Sequence, residues 1–247
     1  MTLNCGFKSK MEITFDRIAI RRNGNVVVNN ASGSFAAGSW TGLIGANGSG
    51  KTSLLRAISG RLPVAEGCIE INGVDVTLER ISRAIAIGFA PEISALSGGL
   101  TGRQYLGLVQ HKLGATDRAV LTDLAGALAF EQFIDRPIAS LSAGMRQRLA
   151  IYSAFIAGTQ IIFLDEPFNW LDPVCAFETK KAIRSLVVEH SFTVVAALHE
   201  ISALTLYCDS GLVMSAGTIV HSMSADELRN GSKDIATFES SIISHLR

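Results

Sequence analysis

The sequence predicts an α/β fold: a mainly parallel sheet, an antiparallel β-rich region toward the N-terminus, and an inserted helical lobe. Three observations predict it. A short apolar run, "WTGLIG", leads through a glycine-rich loop into a helical pattern. Two later apolar runs, "TQIIFLDEP" and "FTVVAALHE", flank a helix-length segment, as buried parallel strands do. Between these, from residue 100 to about 140, the apolar spacing changes from strand-like to helix-like.

The elements follow in chain order. "MEITFDRIAI" and "NVVVNNASGSF" mix alternation with turn residues and read as strands. "WTGLIG" is a short apolar strand, and "SLLRAIS" sets Leu54, Leu55 and Ile58 on one helical face, with Gly60 as the stop. In "GCIEINGVDV" the pair Asn72-Gly73 signals a hairpin. "AIGFAPE" is another strand candidate, after which "GRQYLGLVQHKLG" and "TDRAVLTDLAGALAFEQF" read as helices. "VCAFETKKAIRSLVVEH" is the helix between the two buried strands, and "SADE" at 224–227 is a capping-box signal.

Composition narrows the partners. Lysine plus arginine equals aspartate plus glutamate, 22 each, and no run of like charge stands out, so nucleic acid is not an expected partner. Cys5, Cys68, Cys175 and Cys208 are scattered without metal-ligand pairs and read as reduced thiols of a cytosolic protein. The start, "MTLNCGFKSKMEITF", has no apolar core of a signal peptide. A mean hydropathy of +0.32 is high, but the apolar charge-free stretch 149–164 contains Ser, Gly, Thr and Gln and is short for a membrane span, so a large buried core explains it.

The loop is the first chemical signal. Gly45-Ala46-Asn47-Gly48-Ser49-Gly50-Lys51-Thr52, followed by Ser53, fits the phosphate-binding spacing G-x-x-x-x-G-K-[ST]. Glycines let successive N–H groups turn toward one anion at the positive end of a helix. Lys51 is expected to reach the β- and γ-phosphates and the Thr52 hydroxyl to bind Mg²⁺. "IIFLDEP" sets Asp165 and Glu166 at the carboxyl edge of a buried strand, where ligands collect in parallel sheets. Asp165 fits a Mg²⁺-coordinating acid, and Glu166 a general base for the attacking water. In "SLSAGMRQRLAI", Ser142 caps a helix whose Ala143 and Gly144 leave backbone N–H groups open to an anion.

With these motifs in hand, the chain resembles the ATP-binding subunit of an ABC transporter. The phosphate loop, "LSAGM", "LDEP", "NWLD" and "LHE" come in that family's order, and the resemblance runs from 13 to at least 227. It implies a single ATP-binding domain over 1–247, with a helical subdomain at about 100–155 carrying the signature. It implies that Ser142, Ala143 and Gly144 close on ATP held by another subunit, that Asp172 connects the two sites, and that His199 senses the γ-phosphate. The implied cofactors are ATP and Mg²⁺. The implied partners are a second ATP-binding subunit, identical or related, and an integral-membrane permease that holds the chain at the cytoplasmic face of the membrane.

Departures from the family pattern are local. Arg22 stands near the position of the adenine-stacking aromatic, and Glu92 replaces a glutamine that supplies an oxygen near Mg²⁺. Ala143 and Met145 replace a glycine and a glutamine of the signature, and Trp170 sits beside Asp172, either at the dimer seam or in the core. "GKTSLLRAISG", the "LDP" step and the C-terminal tail resemble exporter ATPases. A soluble ABC ATPase of translation or DNA repair, and a regulatory cassette that binds ATP without turnover, are the alternative readings.

Overall fold

The structure is a computed structural model that describes residues 11–113 and 119–246. Two sheets organise it. A four-stranded antiparallel sheet, in the order β2-β1-β4-β5, joins β1 (Ile13–Arg22), β2 (Asn25–Phe35), β4 (Glu66–Ile71) and β5 (Val74–Asp75). A six-stranded sheet runs β10-β9-β3-β8-β7-β6. Its strands are β3 (Trp40–Gly45), β6 (Ile87–Phe89), β7 (Ile161–Asp165), β8 (Thr193–Leu198), β9 (Ser210–Ser215) and β10 (Thr218–Met223). Only the β9–β10 pair is antiparallel in it.

Period-two alternation sorts the central strands between two cores. Leu43, Phe163, Val195 and Ala197 face one side, with Leu54, Leu55 and Ile58 of α1 (Lys51–Ile58) and with Ile13, Phe15 and Phe35 of the antiparallel sheet. Ile44, Ile162, Leu164, Val194 and Ala196 face the other, with α5 (Ala143–Phe155) and α6 (Pro173–His190). Each of β3 and β8 is buried along its whole length, which is why both read as unbroken apolar runs.

Asn72-Gly73 makes its turn with φ of 54° and 73°, the left-handed pair that a tight hairpin needs. The helical region holds α3 (Gly102–Leu113), α4 (Thr122–Leu128) and α5. The long helix expected from "TDRAVLTDLAGALAFEQF" is a correction: only Thr122–Leu128 is α-helical, because Ala129 turns left-handed (φ 44°) and Phe130–Gln132 tightens into a 3₁₀ turn. Residues 116–118 of that stretch lie outside the described residues. The sequence reading also passed over α2 (Arg80–Ala86), β9, β10, α7 (Ile201–Tyr207) and α9 (Ile235–Leu246). The helix α8 (Ala225–Gly231) opens with the expected box: the Ser224 hydroxyl accepts from the Glu227 N–H, and the Glu227 carboxylate accepts from the Ser224 N–H. Cys68, Cys175 and Cys208 are free thiols, and Cys5 lies outside the described residues. No helix among the described residues is long and apolar enough to cross a membrane.

Helix α5 sits so close to β6 that a Cβ on Gly88 would strike the Ala154 carbonyl, a backbone atom that cannot swing aside. Gly88→Ala is therefore expected to destabilise the chain by about 1–3 kcal/mol through overpacking. The urea midpoint measures this, and an unchanged midpoint would show that α5 is free to shift.

A phosphate loop facing two carboxylates and a histidine

The loop after β3 is built for close backbone approach. Ser49 N–H bonds to the Ala46 carbonyl (3.1 Å), and Gly48 and Gly50 take φ of 80° and 106°. A Cβ on Gly45 would lie 2.5 Å from the Ser49 hydroxyl, and one on Gly50 would lie 2.8 Å from the Val27 carbonyl. Gly50 precedes α1 without any side-chain cap, so the first-turn N–H groups stay open. Ala46, Asn47 and Gly48 are exposed. Ser49 is buried, and its hydroxyl has no hydrogen-bond partner among the described residues.

Lys51 is buried too, with Nζ donating to the carbonyls of Gly45 (2.7 Å) and Ala46 (3.2 Å). Burial depresses its pKa, while Glu166 and Asp165 work against that shift. The Thr52 hydroxyl donates to Asp165 Oδ1 at 3.1 Å. Asp165 is pushed upward, chiefly by burial and then by Glu166, and it is drawn down by Thr52, Arg56 and Lys51. A bound cation would relieve the same burial cost. An orphaned buried hydroxyl, open N–H groups and a buried ammonium suit a phosphate chain. The hydroxyl and carboxylate oxygens of Thr52 and Asp165 suit Mg²⁺. No cluster of three or more His, Cys, Asp and Glu stands ready as a metal site among the described residues.

Glu166 is held from both sides. Its Oε1 lies 2.7 Å from His199 Nε2, and its Oε2 accepts from Asn169 Nδ2 at 2.8 Å. Its own backbone is left-handed (φ 47°), a conformation that costs a non-glycine residue roughly 1–3 kcal/mol and turns the carboxylate off the strand axis. A cavity of about 280 Å³ opens beside it, with Asn169, Leu171, His199 and Glu200 in its wall. Lys180 steadies that wall, bonding Glu200 at 2.9 Å and lying 5.0 Å from the Phe168 ring centre. Asn169 escaped the sequence reading, although it stands inside "FNWLD".

The Ser142 hydroxyl accepts from Met145 N–H (3.2 Å) and caps α5, as its sequence predicts. Gly144 packs so tightly that an added Cβ would lie 2.7 Å from the Trp170 carbonyl. Arg148 Nη2 donates to Asp172 Oδ2 at 2.8 Å, and Asp172 Oδ1 caps α6 through Cys175 N–H (3.0 Å). That cap, with Arg148, lowers the pKa of Asp172. The start of α5 thus meets the 170–172 loop through Gly144 and Arg148, and among the described residues no hydrogen bond joins Ser142, Ala143 or Gly144 to residues 45–53. Trp170 is 59% exposed, which excludes the core position; Trp40 is the buried tryptophan. Met145, in place of the expected glutamine, packs partly buried against the core.

Two predicted residues stand apart. Arg22 is exposed at the end of β1, opposite Asn25. Glu92 is exposed after β6, with Oε1 against Arg56 and Oε2 accepting from Ser94 Oγ (3.4 Å). It makes no direct contact with Thr52 or Asp165 among the described residues.

Comparison with known proteins gives the family. The profile of the ABC transporter family matches residues 28–169, more than half of the chain. A phosphonates import ATP-binding protein of Trichormus variabilis is 31% identical over 214 residues, 82% of this chain and 88% of that protein. A daunorubicin resistance ATP-binding protein of Streptomyces coeruleorubidus is 34% identical over 197 residues, 78% of this chain and 62% of the other. Among solved structures, the ATP-binding subunit of an ABC transporter matches with a TM-score of 0.80 at 21% identity, covering 95% of this chain and all of that one. A dimeric cassette in a post-hydrolysis state, bound to ADP and Pi, matches with a TM-score of 0.76 at 21% identity, covering 86% and 98%. The chain belongs to the ABC transporter family, as an ATP-hydrolysing nucleotide-binding cassette.

Proposed function

We propose that this chain is the motor subunit of an ABC exporter, working in pairs at the cytoplasmic face of a membrane against an integral-membrane permease. The observation that carries the motor role is Glu166, poised between His199 and Asn169 beside the half-buried pair Thr52–Asp165. Ser49, Lys51 and the open N–H groups of Gly48, Gly50 and Thr52 take the phosphates of ATP, with Ala46, Asn47 and Ser53 shaping the loop around them. Thr52 and Asp165 hold Mg²⁺, which when bound supplies positive charge against the phosphate oxygens. Glu166 accepts the proton of the attacking water, and His199 keeps its carboxylate turned to the site. Arg22 covers the adenine with its guanidinium plane in place of an aromatic.

Each site is completed from a second subunit, whose Ser142, Ala143 and Gly144 offer the N–H groups of a helix start to the γ-phosphate. The packing of Gly144 against Trp170 and the Arg148–Asp172 bond in the next turn of α5 support a role across the seam. ATP then drives closure because it touches both subunits only in the closed state. Export is supported by the "LDP" step, the C-terminal tail and the likeness to the daunorubicin resistance protein. The phosphonates import relative makes import the competing direction. Purification with a permease and no extracytoplasmic binding protein is expected, and capture of such a binding protein would reverse the direction.

Glu166→Gln should keep ATP binding yet lower turnover roughly 10²–10⁴-fold, because an amide cannot accept the proton. ATP should then trap the paired form in sedimentation. Near-normal hydrolysis would remove Glu166 from the base role. Trp170 gives a second test. In Glu166→Gln with Trp40→Phe, its fluorescence is expected to shift when ATP and Mg²⁺ close the pair, since an exposed aromatic becomes covered. An unchanged spectrum would place Trp170 off the seam.

A further inference from the structure

Glu92 brings an extra negative charge to a cleft that must accept polyphosphate, so something has to offset it. The offset comes from α1. Arg56 lies four residues after Thr52, one turn along the same helix face, so its side chain projects toward the cleft that Thr52 lines. Its Nη2 contacts Glu92 Oε1, and its charge also draws down the carboxyl of Asp165. The Arg56 side chain is only 24% exposed, against 56% for Glu92. The Arg56 carbonyl accepts from the N–H groups of Arg61 (2.7 Å) and Leu62 (3.0 Å), which pins the backbone and leaves only the side chain free to move. One guanidinium thus contacts the acid after β6 and acts on the acid at the end of β7, the strand paired with β6.

We propose that Arg56 is a positioning residue for Glu92, holding its carboxylate at the cleft and cancelling its charge so that ATP with Mg²⁺ can bind. A pair this exposed adds little to folding. Its effect is on the field that the incoming phosphates meet, where an unpaired carboxylate repels them. A neutral glutamine at 92 would need no such partner, so the requirement for Arg56 belongs to the glutamate. The two side chains should therefore act as one unit in nucleotide binding. The proposal rests on the reading of Glu92 as a residue facing the metal.

A double-mutant cycle tests it through equilibrium binding rather than turnover. The probes are a non-hydrolysable fluorescent ATP analogue with Mg²⁺, and Mn²⁺ in its place, read by electron paramagnetic resonance. Arg56→Gln is expected to weaken analogue binding roughly fivefold, while the same change made on Glu92→Gln costs less than about twofold. Arg56→Lys, which keeps the charge, should recover most of the affinity and guards against a folding artefact. Glu92→Gln alone should loosen Mn²⁺, because a carboxylate oxygen becomes an amide oxygen. Equal losses on both backgrounds, together with loosened Mn²⁺, overturn the positioning role alone. Unchanged Mn²⁺ affinity in Glu92→Gln overturns the metal-facing reading on which the proposal stands.

Discussion

Parallel pairing of β3, β8 and β7 in that spatial order is the constraint on which the site depends. Ile44 is level with Leu198, and Asp165 with Ala197, so all three strands end at one edge of the sheet. The chain leaves β3 into the phosphate loop, β7 into Glu166 and β8 into His199. Residues far apart in sequence meet there because strands next to one another in the sheet are not consecutive in the chain, and ligands gather at such edges. The Thr52–Asp165 and Glu166–His199 contacts follow from this order. None needs a flexible loop to find its partner.

A second sheet braces the phosphate loop from outside. At the tip of the β9–β10 hairpin, Gly217 N–H bonds to the Ser49 carbonyl (3.0 Å), and its carbonyl accepts from Asn29 N–H in β2 (2.8 Å). Gly217 sits at φ 83°, and an added Cβ would lie 3.0 Å from the Val27 carbonyl, so glycine alone suits the position. The antiparallel sheet and the phosphate loop are joined through one residue. Lys51 meanwhile rests on carbonyls of its own loop, where a buried ammonium must find acceptors until phosphate replaces them.

The signature region shows how substitutions can be absorbed. Backbone N–H groups, not side chains, do the work expected of Ala143 and Gly144, so a methyl at 143 leaves that chemistry intact. Met145 turns to the core instead of the cleft. Glycine at 144 is demanded by the Trp170 carbonyl behind it, a contact made within one chain. Trp170 itself stands in solvent beside Asp172, an arrangement with no use for a core tryptophan.

The sequence by itself determined the fold class, the phosphate loop, the two carboxylates at a strand end and the caps at Ser142 and Ser224, because each is written in local spacing. Local spacing also misled. "TDRAVLTDLAGALAFEQF" has helical periodicity throughout, yet tertiary packing breaks it after Leu128 with a left-handed alanine. Only the tertiary structure decided that Asn169 and His199 share Glu166, that Arg148 holds Asp172, and that Arg56 takes Glu92. Glu166 and Asn169 lie three residues apart in one loop, but the other pairings join separate strands, helices and loops. Their physical cause is the order in which strands lie side by side, which depends on the summed burial of both cores and is written in no single motif.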